Sequence, residues 1–155
     1  LTPKIISKKL DKGSDIAVYS KNLVEFLESN GLKRGNKVKN KADIPFWIKR
    51  NNKFQLSCLR GLMDTDGSCY TYVHNVNKKR YYNFALCFTN ASQPLLKSVY
   101  IILDKNGYHP CVTGRRVYVH GKDEIARYFQ EVGTHNVKHL QKYQRFIDRK
   151  VLSVR

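Results

Sequence analysis

From residue 53 onward the chain alternates between two hydrophobic periods, and this alternation restricts its fold more than any other feature. Residues 53–65 carry Leu56, Leu59, Leu62 and Met63 on one side of a helical repeat, with Asn51 or Asn52 as N-cap and Gly67 as the stop. Two strand-like runs follow, 68–73 and 82–89, separated by a polar, basic turn over 74–80. Ser92 is placed to cap a helix over 93–106 that stops at Gly107. A second pair of short runs, 109–113 and 115–119, turns at Gly114, and helices over 122–132 and 137–149 complete the pattern. Helix, hairpin, helix, hairpin, helix, helix predicts an α+β domain with an antiparallel sheet and its helices on one face. The other face is left to water or to a ligand.

Upstream the pattern is weaker. Residues 1–14 read as a basic linker or frayed edge, and Ile16-Ala17-Val18-Tyr19 as a short strand. Ser20 caps a helix over 21–30 with Leu23, Phe26 and Leu27 on one face and Gly31 at its end. A basic loop over 33–43 leads to an apolar anchor, Ile44-Pro45-Phe46-Trp47-Ile48. The expected organisation is therefore an N-terminal extension over 1–50, or the remnant of a preceding repeat, and a main domain over 51–155. A start at Leu1 rather than Met suggests a piece of a longer polypeptide.

Charge narrows the partners. Lys and Arg number 29 against 12 Asp and Glu, a formal net charge of +17 in 155 residues. Self-repulsion of that size favours a polyanionic partner. Nucleic acid comes first, because phosphate neutralisation with counterion release drives such binding; a membrane surface comes second. No stretch resembles a spanning helix or a signal peptide, which points to an intracellular protein that is not secreted. Cys58, Cys69, Cys87 and Cys111 match no paired metal-ligand spacing and read as buried, reduced thiols.

Against this basic background, Asp64 and Asp66 stand together at the C-terminal end of a helix. Carboxylates there face the negative pole of the helix dipole, at a cost of ~0.3–1 kcal/mol each. Two such groups two residues apart also repel one another. Either both are simply solvated beside an Asp-Gly turn, or a cation compensates them; carboxylate oxygens suit Mg²⁺, which keeps waters and binds phosphate. On the same helix Ser57, Gly61 and Thr65 recur every four residues, a small-residue stripe along which two helix backbones can approach closely. Two such helices crossing at Gly61 would bring two Asp66 side chains together, as two-metal phosphodiester hydrolysis requires.

The run Leu59-Arg60-Gly61-Leu62-Met63-Asp64-Thr65-Asp66-Gly67 resembles the nine-residue motif of the LAGLIDADG homing endonucleases, with Leu59, Gly61, Leu62, Asp64, Asp66 and Gly67 matching. The likeness continues through Ser68, the strand at 84–89, Asn90-Ala91-Ser92 and Gly133-Thr134-His135-Asn136-Val137-Lys138-His139, covering about residues 15–145. The resemblance implies an αββαββα domain whose sheet forms a DNA-binding saddle. It implies a site-specific endonuclease cutting double-stranded DNA with Mg²⁺ or Mn²⁺, encoded by a mobile intron or intein or standing free. Asp66 would hold the metal, with the backbone at Gly67 completing the site, and Asp64 would be mainly structural. Lys138 would stand near the scissile phosphate, and Asn90 or Ser92 would occupy a water-orienting position, although the Gln of some family members is absent. Ser57, Gly61 and Thr65 would line the seam with a second copy in a homodimer, or with a second motif-bearing domain of a longer chain. Residues 16–48 resemble the segment preceding the second motif in two-motif members.

Strand alternation then sorts the sheet residues. Phe84, Leu86, Phe88, Cys69, Thr71, Val73, Val117 and Val119 point inward. Ser68, Tyr70, Tyr72, His74, Asn83, Ala85, Cys87, Thr89, Arg116, Tyr118 and His120 point outward. A β-ribbon can enter the major groove, where Arg116 would suit guanine, while Lys78, Lys79, Arg80 and Arg115 would meet phosphates. Competing readings are a non-catalytic binder on the same scaffold, acting on intron RNA as a maturase or on DNA as a regulator, and a polybasic membrane-surface protein. For the last, only residues 138–149 offer a weak amphipathic, basic helix.

Overall fold

A computed structural model describes residues 2–7 and 14–152. They form two compact units, one ending at Gly35 and the other beginning at Asn36. In the smaller unit β1 (Lys4–Ser7) pairs antiparallel with β2 (Ser14–Ala17), and Lys21–Ser29 forms α1. The linker expected over 1–14 is thus strand at 4–7, where Ile5 faces Ile16 across the ladder; residues 1 and 8–13 lie outside the described residues. The strand expected at 16–19 starts two residues earlier and ends at Ala17. Ser20 caps α1, accepting from the Leu23 N–H at 3.2 Å. Its apolar face, expected to be covered, buries no residue, and Phe26 is 62% exposed. One short helix and a two-stranded ladder are too little chain to enclose a core.

The larger unit contains α2 (Phe46–Lys49), α3 (Asn52–Asp66), β3 (Gly67–Val76), β4 (Lys79–Thr89), α4 (Gln93–Lys105), β5 (Cys111–Thr113), β6 (Arg116–Val119), α5 (Lys122–Glu131) and α6 (Val137–Leu152). Its antiparallel sheet runs β3-β4-β6-β5. Alternation places Cys69, Phe84, Leu86, Phe88, Val117 and Val119 on one face, where they pack with Leu59 and Met63 of α3, Leu96, Val99, Ile102 and Leu103 of α4, Ile125 and Tyr128 of α5, and Phe146 of α6. Burial of these side chains, each worth ~1.5–3 kcal/mol, drives the layering. The expected α+β architecture is therefore present, with the helices of this unit packed on one face of its sheet. No helix among the described residues is long and apolar enough to cross a membrane.

Residues 36–50, read from sequence with the N-terminal extension, group with this larger unit, and Ile44 lies in its core. Asp43 anchors the segment: its carboxylate accepts from the Ser98 hydroxyl at 2.6 Å and the Ile44 N–H at 2.7 Å, and meets the Lys49 ammonium at 2.5 Å. Burial raises the Asp43 pKa, but hydrogen bonds from Lys49, Ser98 and Ile44 outweigh it and the net shift is downward. A carboxylate depressed in the folded state stabilises the fold above its unfolded pKa and loses that contribution as pH falls through the folded value. Wild type should therefore lose thermal stability below about pH 4 more steeply than Asp43→Asn, which lacks this titration; melting curves across pH 2–6 measure it. Parallel curves would remove Asp43 from the acid response.

Four details depart from the expected pattern. The basic turn is shorter: the β3–β4 ladder continues through His74–Tyr81, Asn75–Arg80 and Val76–Lys79, and only Asn77 and Lys78 turn, with φ of 50° and 63°. Two left-handed residues match the twist of a hairpin, and Asn tolerates that conformation. Thr71 and Val73, expected inward, are exposed on edge strand β3, where their ladder partners Phe84 and Tyr82 on β4 take the ring contacts with Phe146 of α6. Ala85 and Cys87, expected outward, are 0% and 4% exposed because central β4 carries these small side chains between Tyr70 and Tyr118 of the flanking strands. All four cysteines are free thiols, but Cys111, on edge strand β5, is exposed and Cys58 only half-buried.

Candidate functional site

Asn51 starts α3 by accepting from the Phe54 N–H at 3.2 Å. The inner stripe Gln55, Leu59 and Met63 is buried, which turns Ser57, Gly61 and Thr65 outward to full exposure. A Cβ built on Gly61 meets nothing within 4 Å. Nothing among the described residues therefore requires glycine there, although an interior helical glycine costs ~0.5–1 kcal/mol relative to alanine.

The two acids at the end of α3 have separate environments. Asp64 turns inward: one carboxylate oxygen accepts from the Thr134 hydroxyl at 2.5 Å, the other from the His135 N–H at 2.9 Å. The Asn136 side chain donates to the Asp64 backbone carbonyl at 2.9 Å and caps α6 by accepting from the Lys138 N–H at 3.0 Å. Asp64 thus ties α3 to the loop before α6 and has little capacity left for a cation. Asp66 is exposed, and its carboxylate accepts from the Asn90 amide at 3.3 Å. Asn90 is held at the end of β4 by donating its N–H to the Arg115 carbonyl at 3.1 Å.

Four further residues surround this turn. Gly67 has φ −86°, so the stop does not use left-handed backbone as expected of a terminating glycine. Its N–H donates to the Met63 carbonyl, and a Cβ on Gly67 would overlap the Met63 backbone oxygen and lie 2.8 Å from its Cα. His139 is 7% exposed and hydrogen-bonds to the Gly67 backbone; burial lowers its pKa, outweighing the raising effects of Asp64 and that bond. Lys142 donates to the Cys69 carbonyl at 3.0 Å. Lys138 is exposed in the first turn of α6, the segment that Asn136 ties to Asp64.

Ser92 stands at the N-cap position of α4, as expected, but its side chain does not cap. It is 2% exposed and donates to the Ala42 carbonyl at 2.5 Å. The Asn90 side chain instead accepts from the Ser92 N–H at 2.9 Å at the start of α4. Thr134, Asn136, His139 and Lys142 carried no assigned role in the sequence; only the position of Asn136 before the apolar run of α6 signalled its capping.

As a cation site, the tail of α3 presents one exposed carboxylate, Asp66, with the Asn90 amide beside it. Among the described residues no group of three or more His, Cys, Asp or Glu side chains could hold a metal. This donor set fits a hard cation that keeps most of its water and shares a second carboxylate or a phosphate.

The free sheet face is aromatic. Tyr70, Tyr72 and His74 on β3, Tyr81 and Asn83 on β4, and Tyr118 with His120 at the end of β6 share it. Tyr72 stacks on His74 (6.1 Å, 26°), His74 on Tyr81 (5.4 Å, 21°), and Tyr118 on His120 (5.5 Å, 15°). The Tyr72 hydroxyl lies 3.4 Å from His120 Nδ1. Arg116 donates to the Tyr118 hydroxyl at 3.5 Å, and its ladder partner Thr89 is exposed. Ser68 is exposed but bonds to the Cys87 carbonyl at 3.4 Å. Lys78, Lys79, Arg80 and Arg115 are exposed at the two hairpin turns that edge this face. Tyr81 belongs to the array but was missed, because the sequence pattern left it between the turn at 74–80 and the strand at 82–89.

Comparison with known proteins gives two findings. The LAGLIDADG-like domain family matches residues 53–133. The Replication factor C small subunit of Methanocaldococcus jannaschii is 40% identical over 82 residues, covering 48% of this chain and 4% of that protein. The chain thus spans only a small part of that relative's length.

Proposed function

This chain belongs to the LAGLIDADG-like domain family, and from that premise we propose that it is a site-specific, divalent-metal-dependent endonuclease of double-stranded DNA. The observation that carries the proposal is the outer face of α3: exposed Ser57, Gly61 and Thr65, with open space above Gly61, lead to an exposed Asp66. A second such helix, from another copy or from a second motif-bearing domain, packs on that stripe and brings a second carboxylate beside Asp66. Mg²⁺ or Mn²⁺ bound there supplies Lewis-acid stabilisation and a more acidic water.

The chain's own residues do the rest. Asp66 and the Gly67 backbone would hold the ion, and Asn90, already bonded to Asp66, would orient the attacking water. Lys138 stabilises charge developing on the phosphate, while Asp64 keeps the end of α3 in place. The sheet face enters the major groove, with Tyr70, Tyr72, His74, Asn83, Thr89, Arg116, Tyr118 and His120 toward base edges and Lys78, Lys79, Arg80 and Arg115 toward phosphates. Ser68, partly spent on the Cys87 carbonyl, stands at the edge of that contact.

The test is cleavage of a randomised duplex library by the wild-type chain with Mg²⁺, with and without EDTA, and sequencing of the new ends. The expected result is metal-dependent cutting within one sequence family. Retention of DNA without cutting in Mg²⁺ or Mn²⁺ would reduce the protein to a binder. The seam has its own test: Gly61→Ala should stabilise the helix by ~0.5–1 kcal/mol yet weaken self-association in sedimentation. Unchanged association would move the partner off α3.

A further inference from the structure

We infer that His74 is a base-reading donor: an imidazole whose Nδ1 is engaged by the Asn83 amide, leaving Nε2–H for a hydrogen-bond acceptor on a base edge in the major groove. This rests on the proposed DNA reading and makes it specific. Three neighbours immobilise the ring. Tyr72 and Tyr81 stack on it, at 6.1 Å and 26° and at 5.4 Å and 21°. The Asn83 amide nitrogen lies 2.7 Å from Nδ1. An amide NH₂ can only donate, so Nδ1 accepts and the ring proton sits on Nε2. His74 is exposed, which leaves the Nε2–H edge as its free polar group.

The ligand chemistry follows from what remains available. Tyr72 and Tyr81 already stack against the ring, which disfavours stacking on an unpaired base. A single fixed donor suits guanine N7 or O6, adenine N7 or thymine O4, and opposes cytosine, whose groove edge offers a donor amine. A phosphate oxygen is also an acceptor, but charged Lys79 and Arg80 lie in the same hairpin for that purpose. Asn83 acts through His74 as a positioning residue.

Binding to a randomised duplex library in EDTA, with bound and free fractions sequenced, tests this. Wild type should exclude cytosine at one position of the selected site. His74→Ala should accept all four bases there, losing roughly 5- to 100-fold discrimination while the other positions keep theirs. Asn83→Ala should admit cytosine at that same position, because the released ring can carry its proton on Nδ1 and accept at Nε2. His74→Gln should shift the position toward adenine, whose N6 and N7 suit a side-chain amide. Circular dichroism confirms the fold of each variant. Equal weakening of every sequence by His74→Ala would make the contact a phosphate contact and overturn the inference. So would an unchanged preference at every position. If wild type selects no sequence at all, the DNA reading itself fails and takes this inference with it.

Discussion

Asp66→Asn is expected to lower metal-dependent cleavage by at least about 10²–10³-fold, the scale for removing one group that stabilises charge at a reacting centre. The change is almost isosteric, and Asp66 is exposed, so melting temperature should scarcely move. The amide oxygen can still accept from Asn90, which now donates to the carboxylate at 3.3 Å. DNA affinity in EDTA should stay level or tighten, because a bare carboxylate beside phosphates repels them. The combination of lost cutting, retained binding and unchanged melting distinguishes a cation ligand from a structural acid. Asp64→Asn is the contrast: its carboxylate holds Thr134 and the His135 N–H, so its loss should appear first as lower stability. If Asp66→Asn cuts as fast as wild type, the metal reading of α3 is wrong.

Gly67→Ala is expected to cost about 3 kcal/mol or more, the upper range for forcing atoms into a filled site. The new methyl would run into the backbone oxygen and Cα of Met63, which sit inside a helix whose inner stripe is buried. Relief requires unwinding the last turn of α3, which carries Asp64 and Asp66. Urea denaturation should therefore show a lower midpoint, and any folded protein should cut poorly. Gly114→Ala provides the comparison. Its φ is +59° but nothing lies within 4 Å of an added Cβ, so the cost is about 1–2 kcal/mol of backbone strain alone. If Gly67→Ala proves as mild as Gly114→Ala, the tail of α3 is far softer than its packing implies.

Local patterns could be read directly from the chain. Asn51 as a cap, the inner stripe ending at Met63, and the alternation of Phe84, Leu86 and Phe88 each follow from helix or strand geometry acting over a few residues. The same logic fails where a side chain meets a residue far along the sequence. Ser92 has the sequence context of a cap, yet its hydroxyl goes to Ala42, fifty residues away. Tyr81 was left between turn and strand, because the ladder runs three residues further into the polar run than the pattern suggests.

The sequence by itself determined the order of helices and hairpins from residue 53 onward, the alternation of faces along their strands, and the motif that marks the family. Periodicity and short-range capping act within one element, so no knowledge of its neighbours is needed. The resemblance assigned the two acids different roles, but only the tertiary structure supplied a physical reason to separate them. Asp64 turns toward Thr134, His135 and Asn136, some seventy residues on, while Asp66 faces solvent beside Asn90. Their spacing alone makes them equivalent; packing of α6 against the tail of α3 supplies hydrogen-bond donors to one and leaves the other free.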